Sequence, residues 1–125
     1  MNLLLFLAVA GGGFVGAPSR YLVDRAISSR IESDLPWGTF TINMTGSLLL
    51  GVLTGLALGH HLPAVPKALL ATGFCGAYTT FSTFSYESLG LVEDGRILEA
   101  AGNILVSVVI GFAAASAGLA IGLVI

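Results

Sequence analysis

The chain has 125 residues, of which 55% are hydrophobic and 10% are charged, and its net charge is −2. Soluble globular domains carry about 25% charged residues, so this composition excludes an ordinary soluble domain. The sequence also lacks the basic stripe that binds nucleic acid, so no nucleic-acid partner is expected.

Four apolar segments predict the architecture, because a helix needs about 20 mostly apolar residues to cross the hydrocarbon core of a bilayer. The segments cover approximately residues 3–21, 39–58, 66–91 and 97–125. They predict an all-α membrane protein with four transmembrane helices, and we interpret residues 1–125 as a single four-helix membrane domain. An even number of passes places both ends of the chain on one side of the membrane.

The first segment has no acidic residue between Leu3 and Ala17 and ends near Arg20. A proton-coupled multidrug exporter of similar length is the alternative function, and it needs an ionisable group inside the membrane, typically a glutamate in the first helix. Arg20 lies near a membrane boundary, where it faces either the loop or a water-filled vestibule. Basic residues are too few to fix the orientation by the positive-inside rule, and insertion in both directions is physically possible.

Glycines recur at four-residue spacing along three of the segments, and such ladders let helices approach closely in lipid. Four thin helices packed in this way make a bundle too small to enclose much of a polar path. A homo-oligomer is therefore expected. The glycines concerned are Gly12 and Gly16, then Gly51, Gly55 and Gly59, and then Gly118 and Gly122.

Polar residues inside a membrane usually face other helices, water or a ligand. Asn43, in the stretch TINMTGS of the second segment, therefore indicates either a helix–helix hydrogen bond or a position on a polar path. Ser107 lies within the fourth segment, where a serine most often bonds to its own backbone.

The third segment contains the stretch GFCGAYTTFSTFSYE, in which every residue from 78 to 86 except Phe81 and Phe84 carries a hydroxyl group. Gly76 and the β-branched Thr79 and Thr80 favour a helix broken near its middle. Carbonyl oxygens freed by a break are suited to a hard cation, whereas a mere kink would be repaired by the threonine hydroxyls.

Phe81 and Phe84 are three residues apart and therefore share one helix face. They are either packing aromatics or two rings whose positive edges favour a small anion. Glu87 ends the polar run, either at the interface or on the wall of a vestibule. No catalytic constellation is present, so we predict that the protein is not an enzyme.

The segments GGGFVGAPSRY, PWGTFTINMTGSLLLG and GFCGAYTTFSTFSYE resemble the CrcB/Fluc fluoride channels in order and spacing, and the resemblance covers essentially the whole chain. It implies a fluoride-selective channel of the inner (plasma) membrane that exports fluoride passively and lowers cytoplasmic fluoride. It also implies an antiparallel, dual-topology homodimer that encloses two pores.

The resemblance assigns roles to individual residues. Phe81 and Phe84 would contact fluoride, while Asn43 and Ser107 would line the pore. The backbone carbonyls of two further residues would hold a structural sodium ion that is not transported, namely Gly76 and Thr79. Arg20 resembles the first-helix arginine near the aqueous vestibule.

Overall fold

The computed structural model describes residues 2–125, and these residues form helices joined by short connections. Three helices are long and apolar enough to cross a membrane, namely α1 (Leu3–Arg30), α2 (Trp37–Leu58) and α6 (Ile97–Val124). Between α2 and α6 the chain makes its third pass in pieces. These are α3 (Ala64–Lys67), a π-helical segment (Ala68–Cys75), α4 (Gly76–Tyr78) and α5 (Phe81–Glu93).

The all-helical class, the four helical segments and the break in the third segment are thus confirmed for residues 2–125, and three of the four segments are candidate membrane spans. Helix α1 extends to Arg30, well beyond the predicted span 3–21. Hydropathy marks the thickness of the hydrocarbon core, whereas a helix continues into water for as long as its backbone hydrogen bonds persist. The side chain of Asn2 accepts a hydrogen bond from the Leu5 N–H at 2.8 Å and caps the start of this helix.

The glycine ladders are the contact surfaces of two closely packed pairs. Helix α1 lies against the π-helical segment, where Gly12 and Gly73 face each other. Helix α2 lies against α6, where Gly55 and Gly122 are in similar contact. Each of these four glycines is buried. The absence of a side chain lets backbone approach backbone, which supplies the van der Waals contact that associates helices in lipid.

The order of these contacts fixes the direction of the passes. Along α1, Gly12 faces Leu69 and Gly16 faces Phe74, so the first and third passes run in the same direction. Along α2, Gly51 faces Ala115 and later residues face later parts of α6, so the second and fourth passes are also parallel. The connections α1–α2 and α5–α6 therefore lie at the same end of the bundle.

That end of the bundle contains all seven acidic residues of the chain. The two connections are joined there by an ion pair in which Arg96 Nη1 lies 2.8 Å from Asp34 Oδ2. The opposite end has Lys67 and the two histidines of the α2–α3 connection. The four arginines also lie toward the acidic end, so nearly all charged side chains of the chain are at one end of the bundle.

Two adjacent glycines of α1 test the packing account. A methyl group at Gly12 would lie 2.7 Å from the Phe74 backbone nitrogen and 3.0 Å from Gly73 Cα, whereas one at Gly11 would meet only Leu69 Cδ1 at 3.7 Å. We expect Gly12→Ala to lower the free energy of unfolding by about 1–3 kcal/mol, because the backbones must separate.

The matched control is Gly11→Ala, which should leave stability unchanged or raise it by up to about 1 kcal/mol, because alanine is the better helix former. Thermal unfolding midpoints in detergent compare the two variants. Equal midpoints would contradict the close approach of α1 to the π-helical segment.

Candidate functional site

The third pass is interrupted at Thr79 and Thr80, which separate α4 from α5. Both residues have extended backbone, with φ and ψ of −82° and 159° for Thr79 and of −149° and 123° for Thr80. In a continuous helix the Thr80 N–H would donate to the Gly76 carbonyl. Here it points elsewhere and needs another acceptor, because an unpaired backbone group inside a membrane costs several kcal/mol.

Asn43 of α2 supplies that acceptor and also a donor for the Thr80 carbonyl. Its Oδ1 accepts a hydrogen bond from the Thr80 N–H at 2.9 Å, and its Nδ2 donates to the Thr80 carbonyl oxygen at 2.9 Å. One amide side chain therefore satisfies both backbone groups of the residue at which the helix is broken. Of the two interpretations of Asn43, the structure bears out the interhelical hydrogen bond, and one N–H of the amide remains for another acceptor.

Gly46 explains the spacing of the motif that contains Asn43. The two residues are three apart and therefore lie on one face of α2. A methyl group at Gly46 would collide with the Thr79 side chain and approach Tyr78 Cδ2 to 3.3 Å. Asn43 thus holds the break while Gly46 makes room for the residues just before it.

One threonine hydroxyl satisfies part of the broken backbone, since Thr80 Oγ1 accepts from the Thr83 N–H at 3.2 Å and caps α5. Thr79 Oγ1 donates at 2.9 Å to the Cys75 carbonyl, which already accepts from the Thr79 N–H at 3.0 Å. The repair is incomplete, however. Within residues 2–125, the carbonyl oxygens of Gly76 and Thr79 receive no hydrogen bond.

Tyr78 forms a second link between the break and α2. Its ring stacks on Phe74, with centroids 5.4 Å apart and planes inclined by 14°. Its hydroxyl lies 2.9 Å from Thr45 Oγ1, which itself donates to the Thr41 carbonyl at 2.8 Å. Because the Thr45 proton is used there, the Tyr78 hydroxyl is the donor to Thr45.

The two phenylalanines follow the break directly, in the first turn of α5. Their ring centroids are 5.9 Å apart and the planes are inclined by 47°, so the rings are neighbours but not stacked. Phe81 is 78% exposed and Phe84 is half-buried. The break and its clamp thus determine where this pair of rings points, and the ring of Phe81 packs against little.

Ser107 of α6 connects to α5 through residues that sequence reasoning did not assign. Its hydroxyl donates to Asn103 Oδ1 at 3.4 Å, and Asn103 Nδ2 donates to Ser88 Oγ at 2.9 Å. The polar character of Asn103 inside an apolar segment was a usable signal. Its partner was not predictable, because a hydrogen bond between two passes leaves no spacing pattern in the sequence.

The two predicted vestibule residues lie on different helices. Glu87 lines a cavity of about 310 Å³ at the acidic end, together with Asp24, Asp34 and Asp94. Its Oε1 atom is buried and has no hydrogen-bond partner within residues 2–125. Arg20 is half-buried on α1 and forms no ion pair within the described part of the chain. The structure does not bring Arg20 and Glu87 into contact.

Residues 7–119 match the protein family described as "CrcB-like protein, Camphor Resistance (CrcB)". The chain belongs to the CrcB family. The relative named "Fluoride-specific ion channel FluC 1" in Frankia casuarinae is 49% identical over 97% of this chain and 95% of its own length. The relative of the same name in Streptomyces avermitilis is 50% identical over 95% of this chain and 94% of its own length. "Fluoride-specific ion channel FluC 2" of Mycobacterium tuberculosis is 45% identical over 94% of this chain and 90% of its own length.

Membership of the CrcB family, together with the apolar helices, makes the chain a multi-pass protein of the plasma membrane. Its family is one of ion channels by the names of its members, and they indicate no catalytic activity. The roles predicted for Asn43, Phe81, Phe84 and Ser107 in the CrcB chain stay predictions.

The clamp at the break of this CrcB chain can be tested by replacing its amide. Asn43→Leu preserves approximate volume but leaves the N–H and C=O of Thr80 unpaired. We expect the free energy of unfolding to fall by about 2–4 kcal/mol, because each buried unpaired group costs about 1–3 kcal/mol. Thermal unfolding in detergent measures the loss.

Thr41→Val is the matched control on the same helix. The Thr41 hydroxyl donates to the Trp37 carbonyl of its own helix at 2.8 Å. Its removal therefore leaves no backbone group of another helix without a hydrogen-bond partner. A stability loss in Thr41→Val as large as in Asn43→Leu would show that the Thr80 hydrogen bonds have no special weight.

Proposed function

We propose that the protein is a fluoride-selective channel through which fluoride leaves the cell passively, lowering its cytoplasmic concentration. The observation that carries the proposal is the clamped break at Thr80, which is followed directly by two phenyl rings and a row of hydroxyls, with no charged side chain between residues 68 and 86. The names of relatives about half identical over nearly the whole chain support fluoride as the ion.

Uncharged groups suit this task because conduction requires binding that is favourable but weak. A phenyl ring has a positive edge, so Phe81 and Phe84 offer an anion partial charge without a fixed partner. The free N–H of Asn43 and the hydroxyl of Ser107 are hydrogen-bond donors of the same kind. Together these four groups would replace part of the water shell of fluoride.

A second copy of the chain is needed to enclose such a path. In one protomer Phe81 is 78% exposed, so the ring pair lies at an open surface. An antiparallel partner would bring its own α5 to that surface and, by symmetry, create two pores. It would also place the acidic end of one copy beside the Lys67 end of the other on each side of the membrane, and the few basic residues leave both directions of insertion possible.

The direction of transport follows from the chemistry of the ion. Neutral HF crosses lipid from an acidified environment and dissociates inside the cell, which traps fluoride as the anion. A passive channel then lets fluoride leave down its electrochemical gradient.

A structural sodium ion fits the carbonyl groups at the break. The carbonyl oxygens of Gly76 and Thr79 receive no hydrogen bond within residues 2–125, and a methyl group at Gly76 would meet no heavy atom of another helix within 4 Å. Carbonyl oxygen is a hard ligand that suits a hard cation. Two oxygens from each protomer would hold sodium between the two copies, and the ion would tie the two breaks together without being transported.

The ring pair is tested by fluoride efflux from proteoliposomes. Phe81→Leu and Phe84→Leu keep an apolar side chain but remove the ring edge. We expect each substitution to reduce the fluoride flux per reconstituted dimer by about fivefold, because a ring contact of this kind contributes about 1 kcal/mol.

Phe112→Leu is the matched control, since this ring is equally exposed on α6 but lies outside the proposed path. It should leave the flux unchanged. Equal flux in all three variants would remove the rings from the path, and dye uptake driven by a proton gradient would favour the exporter instead.

Sodium dependence is tested with the same liposomes after sodium is replaced by choline at equal ionic strength. We expect a several-fold lower flux and a larger monomer fraction in detergent, because the carbonyl pairs would repel each other without a cation. Unchanged flux in buffer scrupulously freed of sodium would argue against the ion. Potassium in place of choline reports whether the site tolerates a larger cation.

A further inference from the structure

Helix α5 holds both phenyl rings, yet it makes few close contacts with the other helices, and most of these are with α6. Only Ser88 and Leu91 of its residues are buried, and Phe81, Tyr86 and Leu89 are each more than half exposed. No glycine of α5 makes the close backbone contact seen in the other passes, since Gly90 has no neighbour near a methyl position. Something else must fix α5 against α6.

A short chain of hydrogen bonds makes that connection. Asn103 Nδ2 of α6 donates to Ser88 Oγ at 2.9 Å, and Ser88 is only 5% exposed. Within residues 2–125 this is the only side-chain hydrogen bond between α5 and α6. At the other end of α5, Asn43 holds Thr80, so two asparagine side chains locate the helix eight residues apart.

The same amide reaches the hydroxyl of Ser107. Ser107 Oγ donates to Asn103 Oδ1 at 3.4 Å, which is longer than the usual 2.5–3.0 Å of such bonds. The hydroxyl can therefore leave this acceptor at small cost and turn toward an anion. Without Asn103 it would bond to a carbonyl of its own helix, as serines in transmembrane helices commonly do.

The spacing of residues along α5 supports a link between these hydrogen bonds and the proposed fluoride path. Phe81, Phe84 and Ser88 share one face of α5, because they are separated by three and four residues. Asn103 and Ser107 also line a cavity of about 210 Å³ between α6 and the start of α2, to which no residue of α5 contributes. The chain of hydrogen bonds itself runs from the ring face of α5 to the Ser107 hydroxyl of α6.

We propose that Asn103 is a positioning residue of the channel. Through Ser88 it sets the position of α5 with its rings, and through its Oδ1 it holds the Ser107 hydroxyl ready to donate to the passing ion. This role rests on the proposed function, because it concerns the passage of fluoride.

The test uses the full-length protein reconstituted in liposomes and fluoride as the probe. The double variant Ser88→Ala/Asn103→Leu removes both partners, so it leaves no buried group unpaired and should fold as well as the wild type. We expect its fluoride flux, normalised to folded dimer, to be about tenfold lower than that of the wild type. A purely structural role would move the unfolding midpoint and leave the normalised flux alone.

The single variants Ser88→Ala and Asn103→Leu complete a double-mutant cycle. Asn103→Leu should lose about as much flux as the double variant, because Ser88 acts only through Asn103. Thr54→Val is the control, since its hydroxyl donates to the Leu50 carbonyl of its own helix on an exposed face. It should conduct like the wild type.

Wild-type flux in the double variant would overturn the role of Asn103 and leave the proposed function intact. Losses in the two single variants that add up in the double variant would also overturn it, since Ser88 would then act independently. A wild-type protein that passes no fluoride would instead refute the proposed function itself.

Discussion

A helix broken inside a membrane exposes polar backbone groups where water cannot reach them, and the Asn43 amide satisfies both such groups of Thr80. Both backbone groups of Thr80 bond to it at 2.9 Å. The clamp lets Thr79 and Thr80 stay extended, and it therefore sets the start of α5 and the direction of its first turn. The ring pair, the capping hydroxyls and the free carbonyls all derive their positions from this one side chain.

The distribution of close packing explains why hydrogen bonds matter so much here. Glycine ladders bring α1 to the π-helical segment and α2 to α6, and these two pairs form a rigid frame. Helix α5 stands beside the frame with few buried side chains. Its position depends on Asn43 at one end and on Asn103 near the other, so small polar contacts rather than buried area hold the part that carries the rings.

Sequence reasoning reached the features that depend on local chemistry. Gly76 with Thr79 and Thr80 predicted the break, and the spacing of Gly12 and Gly16 predicted close packing. The partners of the ladders were not predictable, because a glycine indicates that a helix can approach but not which helix does. The π-helical geometry of Ala68–Cys75 was also missed, since its apolar composition suits an α-helix equally well.

Asn43 shows the same limit of sequence-based prediction at the candidate site. A helix–helix hydrogen bond and a place on a polar path looked like alternatives, yet an amide with two N–H groups can serve both. The structure supplies the partner, Thr80, which lies 37 residues away in the chain and leaves no pattern in the sequence. Ser88, the partner of Asn103, was missed for the same reason.

The central claim is that uncharged groups conduct fluoride through lipid, and electrical recording from the protein in a planar bilayer tests it most directly. With unequal fluoride concentrations on the two sides, we expect the current to reverse at the fluoride equilibrium potential, and to stay there when a chloride or pH gradient is added. A reversal potential that follows protons or chloride would contradict the claim.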